Sequence, residues 1–126
     1  MTGEKSDSKG LILVVEDDDE VRSMLQDFLS FLGYDIDIAA DGLEGLNKIK
    51  EGTYDLVITD IVMPYVSGIG IISILKKEHP EIPIIAITGY GYHAEELAHG
   101  KNADLIMGKP FDVQKLKEAI ERLLGP

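Results

Sequence analysis

The sequence predicts a single α/β domain in which five parallel strands form a doubly wound sheet of order 2-1-3-4-5. Short apolar runs rich in β-branched residues alternate with segments of helical periodicity, and such alternation implies a parallel sheet with right-handed crossovers. The second run is half polar, which is typical of an edge strand. The length of 126 residues also fits one domain, since domains commonly hold about 100–200 residues.

Four of the five predicted strands are continuous apolar runs, which suits strands covered by helices on both faces. These runs are residues 11–15, 56–58, 84–87 and, more weakly, 105–107. The other strand, residues 35–39, alternates Asp35-Ile36-Asp37-Ile38. Its carboxylates would discourage pairing with a further strand, which places it at an edge of the sheet.

The first two predicted helices are marked at their ends. Apolar residues recur at i, i+3, i+4 and i+7 between Val21 and Leu32, and Gly33 follows as a helix stop. Asp41 followed by Glu44 resembles a capping box at the start of the second helix. Each segment presents one apolar stripe, which we expect to pack on the sheet.

The remaining helical segments differ in strength. Ser67 can cap a strongly apolar stretch that ends before Pro80, and Asp112 can cap an amphipathic C-terminal helix. Residues 92–99 carry the weakest apolar stripe, so we predict only a short fourth helix there. Together the elements predict a flavodoxin-like sandwich of three layers, with helices on both faces of the sheet.

Composition and charge exclude several classes of function. The chain holds 12 Lys+Arg against 23 Asp+Glu, a formal net charge of −11. We therefore expect no direct binding to nucleic acid or to an anionic membrane, since both are polyanions. The chain has no cysteine, which excludes disulfide scaffolds, thiolate metal sites and cysteine nucleophiles.

The beginning of the chain predicts a disordered tail over residues 1–9, with the folded domain over residues 10–126. This tail lacks the apolar core of a signal peptide. No apolar run approaches the roughly 18 residues of a membrane span. We therefore expect a cytoplasmic protein that does not enter the membrane.

Polar residues follow four of the predicted strands, at the end of the sheet where doubly wound folds bind ligands. They are Glu16 and Asp17 after strand 1, Asp60 after strand 3, Thr88 after strand 4 and Lys109 after strand 5. Crowded carboxylates repel one another unless a cation joins them, and oxygen ligands indicate Mg²⁺ or a similar ion. Thr88 could donate a hydrogen bond to a phosphate, and Lys109 could supply a positive charge.

The acidic run after strand 1, Asp60 and Lys109 also have ordinary structural explanations, and Thr88 alone is uninformative because β-branched residues suit strands. Asp18, Asp19 and Glu20, next to the cluster, are accounted for as first-turn charges favoured by the helix dipole. Asp60 could be a turn former and Lys109 a surface loop residue. The polar residues all fall at the same end of the predicted strands, which chance does not readily explain. We therefore favour phosphate chemistry, in which a carboxylate can itself accept a phosphoryl group.

Four sequence blocks at these strand ends resemble the motifs of the response-regulator receiver family, the phospho-accepting domains of two-component signalling. The blocks are VVEDDDEVR (14–22), DLVITDIVMPYVSG (55–68), IIAITGY (84–90) and GKPF (108–111). The resemblance covers residues 10 to 124 and implies a receiver domain over residues 10–126. Four blocks in this order form a far more specific signal than any one of them.

The resemblance implies an acceptor and a metal site. Asp60 would be the phospho-acceptor. Asp17 would be the main acidic ligand of Mg²⁺, with Glu16 beside it and Asp60 completing the carboxylates. Val62 would offer its backbone carbonyl to the same ion. Glu16 stands where Asp is commoner in relatives, and Glu should still hold the metal.

The resemblance also implies the partners of this chemistry. Thr88 would be the switch hydroxyl, and Lys109 would pair with the acyl phosphate, next to a Lys109–Pro110 bond that is cis in most relatives. A sensor histidine kinase or a histidine phosphotransfer protein would donate the phosphoryl group. The chain would not be an enzyme, because it would catalyse only its own phosphorylation and dephosphorylation. A downstream partner or output domain would bind the face of the fourth helix, fifth strand and fifth helix, and a homodimer is compatible with the family.

The sequence departs from the family at the switch and near the acceptor. Ile106 stands where relatives carry an aromatic switch residue, and the interval from Thr88 to Lys109, 109 − 88 = 21 residues, is one shorter than usual. Val62 and Tyr90 occupy positions that tune phosphoryl lifetime in relatives. An apolar Val62 cannot orient an attacking water, so we expect slow self-dephosphorylation.

Three other functions are weighed against this one. A pseudo-receiver, which signals through partners without phosphate, is supported by Ile106 and by the short fourth helix. The intact Asp17, Asp60, Thr88 and Lys109 oppose it. A phosphatase of the haloacid-dehalogenase type needs an acid where Val62 stands, and an FMN carrier would meet a repelling acidic cluster after strand 1.

Overall fold

Five parallel strands form one sheet, in the order β2-β1-β3-β4-β5, in a computed structural model of the chain. The structure describes residues 8–63, 67–89 and 103–125. The strands are β1 (Leu11–Val15), β2 (Asp35–Ala39), β3 (Leu56–Asp60), β4 (Ile84–Thr88) and β5 (Leu105–Gly108). The predicted fold class and strand order are confirmed, including the edge position of β2.

Helices lie between the strands and after the last one. They are α1 (Asp19–Phe31), α2 (Gly42–Glu51), α3 (Gly68–Glu78) and α4 (Val113–Leu124). The helix predicted over residues 92–99, with Tyr90 before it, lies outside the described residues. Within the described ranges, the helices are too short or too polar to traverse a lipid bilayer.

The predicted helix ends are found where the sequence places them. Each predicted N-cap accepts a hydrogen bond from a backbone N–H in the first turn, at Asp41, Ser67 and Asp112. The Glu44 side chain accepts a hydrogen bond from the Ala40 N–H at 2.7 Å. In a usual capping box, it would accept from the N–H of the N-cap residue, here Asp41. Gly33, after α1, adopts φ 107°, a conformation that favours glycine. At the start of the chain, the Lys9 N–H donates to the Gly33 carbonyl.

Two apolar layers cover the sheet. Alternate residues of β1 point to opposite faces, so Leu13 packs with α2 and α3, whereas Ile12 packs with α1 and α4. Met24 and Leu43 occupy apolar positions of the predicted helices, yet they are 38% and 48% exposed. The expected burial was wrong for these two residues of the apolar stripes.

A polar network covers part of the edge strand, which the sequence did not predict. Asp37 accepts hydrogen bonds from Lys48 Nζ at 2.7 Å and from Tyr54 Oη at 2.8 Å. The same Lys48 Nζ donates to the Ile38 carbonyl at 2.7 Å. Burial raises the pKa of Asp37, but the hydrogen bonds from Lys48 and Tyr54 more than offset this, so the pKa lies below its ordinary value of 3.8.

The strand register brings the carboxyl ends of four strands together. Val15 of β1 lies beside Thr59 of β3, and Asp60 lies beside Ile87 of β4. Thr88, at the end of β4, lies beside Gly108 of β5. The polar residues that follow these positions therefore converge on one end of the sheet.

Candidate functional site

One ammonium joins two buried carboxylates at this end of the sheet. Lys109 Nζ lies 2.9 Å from Glu16 Oε1 and 3.0 Å from Asp60 Oδ2. Glu16 is 1% exposed and Asp60 is 4% exposed, so both carboxylates are removed from water. Residues that are distant in sequence, at the ends of β1, β3 and β5, thus form one charged cluster.

A third carboxylate completes the cluster. Glu16, Asp17 and Asp60 each offer an oxygen, and these oxygens lie within 4.8 Å of one another. Asp60 Oδ1 is buried and accepts no hydrogen bond from the described part of the chain. Glu16 Oε1 meets Lys109 as an ion pair without hydrogen-bond geometry.

The donor set of this cluster fits a divalent cation. A buried carboxylate oxygen without a partner is costly, and three carboxylates with one ammonium leave an excess of negative charge. Oxygen ligands of this kind are those that Mg²⁺ prefers. Glu16, Asp17 and Asp60 are therefore the residues that could hold such an ion.

The surroundings of the cluster shift two proton affinities. Burial raises the pKa of Glu16 from 4.5 to about 7, while the Lys109 ammonium and the Asp18 N–H act in the opposite direction. Burial lowers the pKa of Lys109, but its close contacts with the negative carboxylates of Glu16 and Asp60 more than offset this and leave it above 10.5. Lys109 is therefore charged at neutral pH.

The other predicted site residues lie beside the cluster. Thr88 is 1% exposed at the end of β4, and its carbonyl accepts a hydrogen bond from the Lys109 N–H at 2.8 Å. The Lys109–Pro110 bond is cis, as the resemblance implies. Val62 follows Asp60 by two residues with its side chain 44% exposed. The roles given to Thr88, Lys109 and the Val62 carbonyl stay predictions.

Two contacts that support the site were missed from the sequence. Gly68 donates its N–H to the Ile61 carbonyl at 2.8 Å, directly after β3. Arg22 Nη1 donates to the backbone carbonyl of Glu16 at 2.9 Å. The available signals were a glycine at a helix start and a basic residue near a helix N-terminus, where acidic residues are favoured.

The chain is similar in sequence to a known protein family over most of its length. The family model described as "Response regulator receiver domain" matches residues 12–121. The chain belongs to this family. The receiver domain is 35% identical over 114 residues to response regulator MprA of Mycobacterium sp. (strain KMS), which covers 90% of this chain and 50% of that protein.

A second curated relative gives the same relation of lengths. The uncharacterized transcriptional regulatory protein YkoG of Bacillus subtilis (strain 168) is 34% identical over 122 residues, which covers 92% of this chain and 51% of YkoG. The receiver domain thus spans about half the length of these curated relatives. Receiver domains are signalling modules rather than enzymes in the usual sense.

Solved structures share the fold of this receiver domain. A CheY-like receiver domain protein from Methanospirillum hungatei JF-1 matches with a TM-score of 0.86 and 31% identity, over 90% of this chain and 92% of that one. The response regulator TrrA from Thermotoga maritima, solved in complex with Mg²⁺-BeF, matches with a TM-score of 0.83 and 38% identity. That match covers 90% of this chain and 98% of TrrA.

Proposed function

We propose that this receiver domain accepts a phosphoryl group on Asp60 from a phosphohistidine donor in a two-component system. The observation that carries the proposal is the environment of Asp60. One of its oxygens pairs with Lys109 at 3.0 Å, and the other is buried without a hydrogen bond from the described residues. A carboxylate in this state is held in place and still has an oxygen to offer.

Glu16, Asp17 and Asp60 would hold Mg²⁺, together with the backbone carbonyl of Val62. When bound, Mg²⁺ supplies positive charge that offsets the negative charge of the carboxylates and of the phosphoryl oxygens. The Mg²⁺-BeF complex of TrrA supports this choice of ion. The excess negative charge of the cluster supports it independently of that relative.

The proposed transfer needs few residues. A carboxylate oxygen of Asp60 forms a bond to phosphorus as the phosphorus–nitrogen bond of the donor breaks. The electron pair of that bond stays with the imidazole nitrogen, which takes up a proton. Lys109 already faces Asp60, and its ammonium would neutralise charge on the acyl phosphate. Thr88, at the end of the adjacent strand, would donate a hydrogen bond from its hydroxyl to a phosphoryl oxygen.

The phosphorylated domain would act by changing its affinity for partners. Phosphate shifts an equilibrium between two conformations only as far as it interacts differently with them. The donor would be a sensor histidine kinase or a histidine phosphotransfer protein, and we propose that the exchange takes place in the cytoplasm. The downstream partner or output domain would bind the face that includes β5 and α4, which is the fifth helix predicted from the sequence. A homodimer could form at the same face.

Intact mass after incubation with a small-molecule phosphodonor tests this function. The experiment compares the wild type with Asp60→Asn, each with and without Mg²⁺. A gain of one phosphoryl group that requires both Asp60 and Mg²⁺ is the expected result. No gain by a wild type that binds Mg²⁺ would overturn the proposal and would favour an interaction module that works without phosphate.

A further inference from the structure

Arg22 makes two contacts at the start of α1 that the acceptor chemistry does not use. Its Nη1 donates a hydrogen bond to the backbone carbonyl of Glu16 at 2.9 Å, and its Nη2 pairs with the carboxylate of Asp19. The Arg22 side chain is 17% exposed, whereas that of Asp19 is 87% exposed. The guanidinium therefore lies against the main chain at the end of β1 and not in solvent.

The location of Arg22 is unfavourable for a cation taken by itself. The N-terminal turn of a helix carries partial positive charge, which favours acidic residues and disfavours basic ones. The α1 helix follows this preference at Asp19 and Glu20 and departs from it at Arg22. A residue that breaks a local preference commonly serves a site, and the contact that Arg22 makes with the sheet is the Glu16 carbonyl.

Asp17 depends on the main chain for its position. Its carboxylate is exposed and accepts no hydrogen bond within the described residues, although it lies within reach of Glu16 and Asp60. The carbonyl that Arg22 holds belongs to the peptide group between Glu16 and Asp17. Because a peptide group is planar, fixing this oxygen fixes the direction in which the chain continues to Asp17.

We infer that Arg22 is a positioning residue for the metal site. By holding the Glu16 carbonyl, it orients the following peptide so that the Asp17 carboxylate faces those of Glu16 and Asp60. Arg22 acts through Asp17 and makes no contact with the ion. The inference rests on the proposed function, because it concerns the same Mg²⁺.

The sign of the change in Mg²⁺ affinity separates this role from a simple effect of charge. Arg22→Met keeps a long side chain but removes the charge and the donors. If Arg22 were only a nearby positive charge, its removal would tighten Mg²⁺ binding because repulsion would fall. Positioning predicts the opposite, a loss of roughly tenfold, as for other residues that orient metal ligands. Titration calorimetry with Mg²⁺ alone, and no phosphodonor, measures this change.

Two further variants complete the experiment. Arg122→Met removes an arginine from the last turn of α4 and should bind Mg²⁺ as the wild type does. Arg22→Lys keeps the charge but lacks the planar fork that holds Glu16 and Asp19 together, so it should recover only part of the affinity. If circular dichroism shows that Arg22→Met is unfolded, Arg22→Lys carries the test, and wild-type affinity in it would overturn the inference.

The outcomes distinguish the inference from the proposed function. Unchanged or tighter Mg²⁺ binding by folded Arg22→Met overturns the inference alone. A purely structural Arg22 would lower the unfolding temperature of the metal-free protein and leave the Mg²⁺ affinity unchanged, which also overturns it. Failure of the wild type to bind Mg²⁺ would overturn the proposed function and this inference together.

Discussion

Gly68 lies so close to Asp60 that no side chain fits between them. A Cβ atom on Gly68 would lie 2.0 Å from the Asp60 carbonyl oxygen and 2.7 Å from Ile61 Cα. Both of these neighbours are backbone atoms, which cannot move aside as the end of a flexible side chain can. The first turn of α3 therefore lies directly against the main chain that carries the Asp60 carboxylate.

Gly68→Ala should lower the stability of the domain and displace the Asp60 carboxylate. The added methyl group forces the backbone at Asp60 to move, and overpacking of this kind typically costs about 1–3 kcal/mol of unfolding free energy. The displaced carboxylate should also gain a phosphoryl group more slowly. Urea unfolding measures the first effect, and the rate of mass gain with a phosphodonor measures the second.

Gly52→Ala is the matched control for this substitution. A Cβ at Gly52 would meet its nearest heavy atom, the Lys48 carbonyl oxygen, at 3.7 Å, an ordinary van der Waals contact. This variant should unfold and react much as the wild type does. Equal behaviour of Gly68→Ala and Gly52→Ala would show that the close approach does not constrain Asp60.

The Asp37 network predicts a pH-dependent contribution to stability. Its hydrogen bonds place the folded-state pKa of Asp37 below 3.8, so the ionised form is favoured in the folded protein. The contribution is fully present above the unfolded-state pKa and is lost as the pH falls through the folded-state pKa. Because Asp37 is 37% exposed, we expect at most about 1 kcal/mol.

Asp37→Asn tests this contribution by urea unfolding at pH 7 and at pH 3. The wild type should be the more stable protein at pH 7, and the difference in unfolding free energy should shrink toward pH 3. Asp35→Asn, on the same strand and outside the network, is the matched control. A gap between wild type and Asp37→Asn that stays constant down to pH 3 would exclude the proposed linkage.

Val62→Asn should shorten the lifetime of the phosphorylated domain. The Val62 side chain is 44% exposed, two residues after Asp60, and it has no group that could orient a water for attack on phosphorus. An amide at this position supplies a donor and an acceptor, so we expect phosphate loss to become severalfold faster. Intact mass followed over time, after removal of the phosphodonor, gives the rate.

Val113→Asn controls for a polar substitution at an exposed valine. Val113 is 38% exposed at the start of α4, and its replacement should leave phosphate loss unchanged. If Val62→Asn loses phosphate no faster than the wild type, the hypothesis of slow self-dephosphorylation through Val62 is wrong.

The meeting of Glu16, Asp60 and Lys109 could be predicted because it follows from topology. Asp60 is the last residue of β3, Glu16 and Lys109 directly follow β1 and β5, and the carboxyl ends of parallel strands meet at one end of the sheet. No knowledge of side-chain conformation is needed for this step. The edge position of β2 was predicted separately, from the alternation of Asp35-Ile36-Asp37-Ile38, which suits an edge strand of a sheet covered by helices.

Contacts that depend on how a helix sits on the sheet could not be predicted in this way. The Gly68 contact requires the distance between α3 and the end of β3, and the Arg22 contact requires a side-chain conformation. The partial exposure of Met24, on the apolar stripe of α1, could not be predicted either. Periodicity gives the direction of a side chain from its helix, but not the extent of the surface that it faces.

The Asp37 network also decides what the free edge of the sheet can accept. Asp35 and Ala39 use their backbone groups toward β1, so the alternation of a parallel ladder turns those of Ile38 outward. There, the Ile38 N–H donates to Asp37 Oδ1 at 3.0 Å, and its carbonyl accepts from Lys48 Nζ at 2.7 Å. A sixth strand arriving at this residue would find both groups already engaged. The side chains of Asp37 and Lys48 therefore occupy the backbone groups of Ile38 through which another molecule could extend the sheet or begin to aggregate on it.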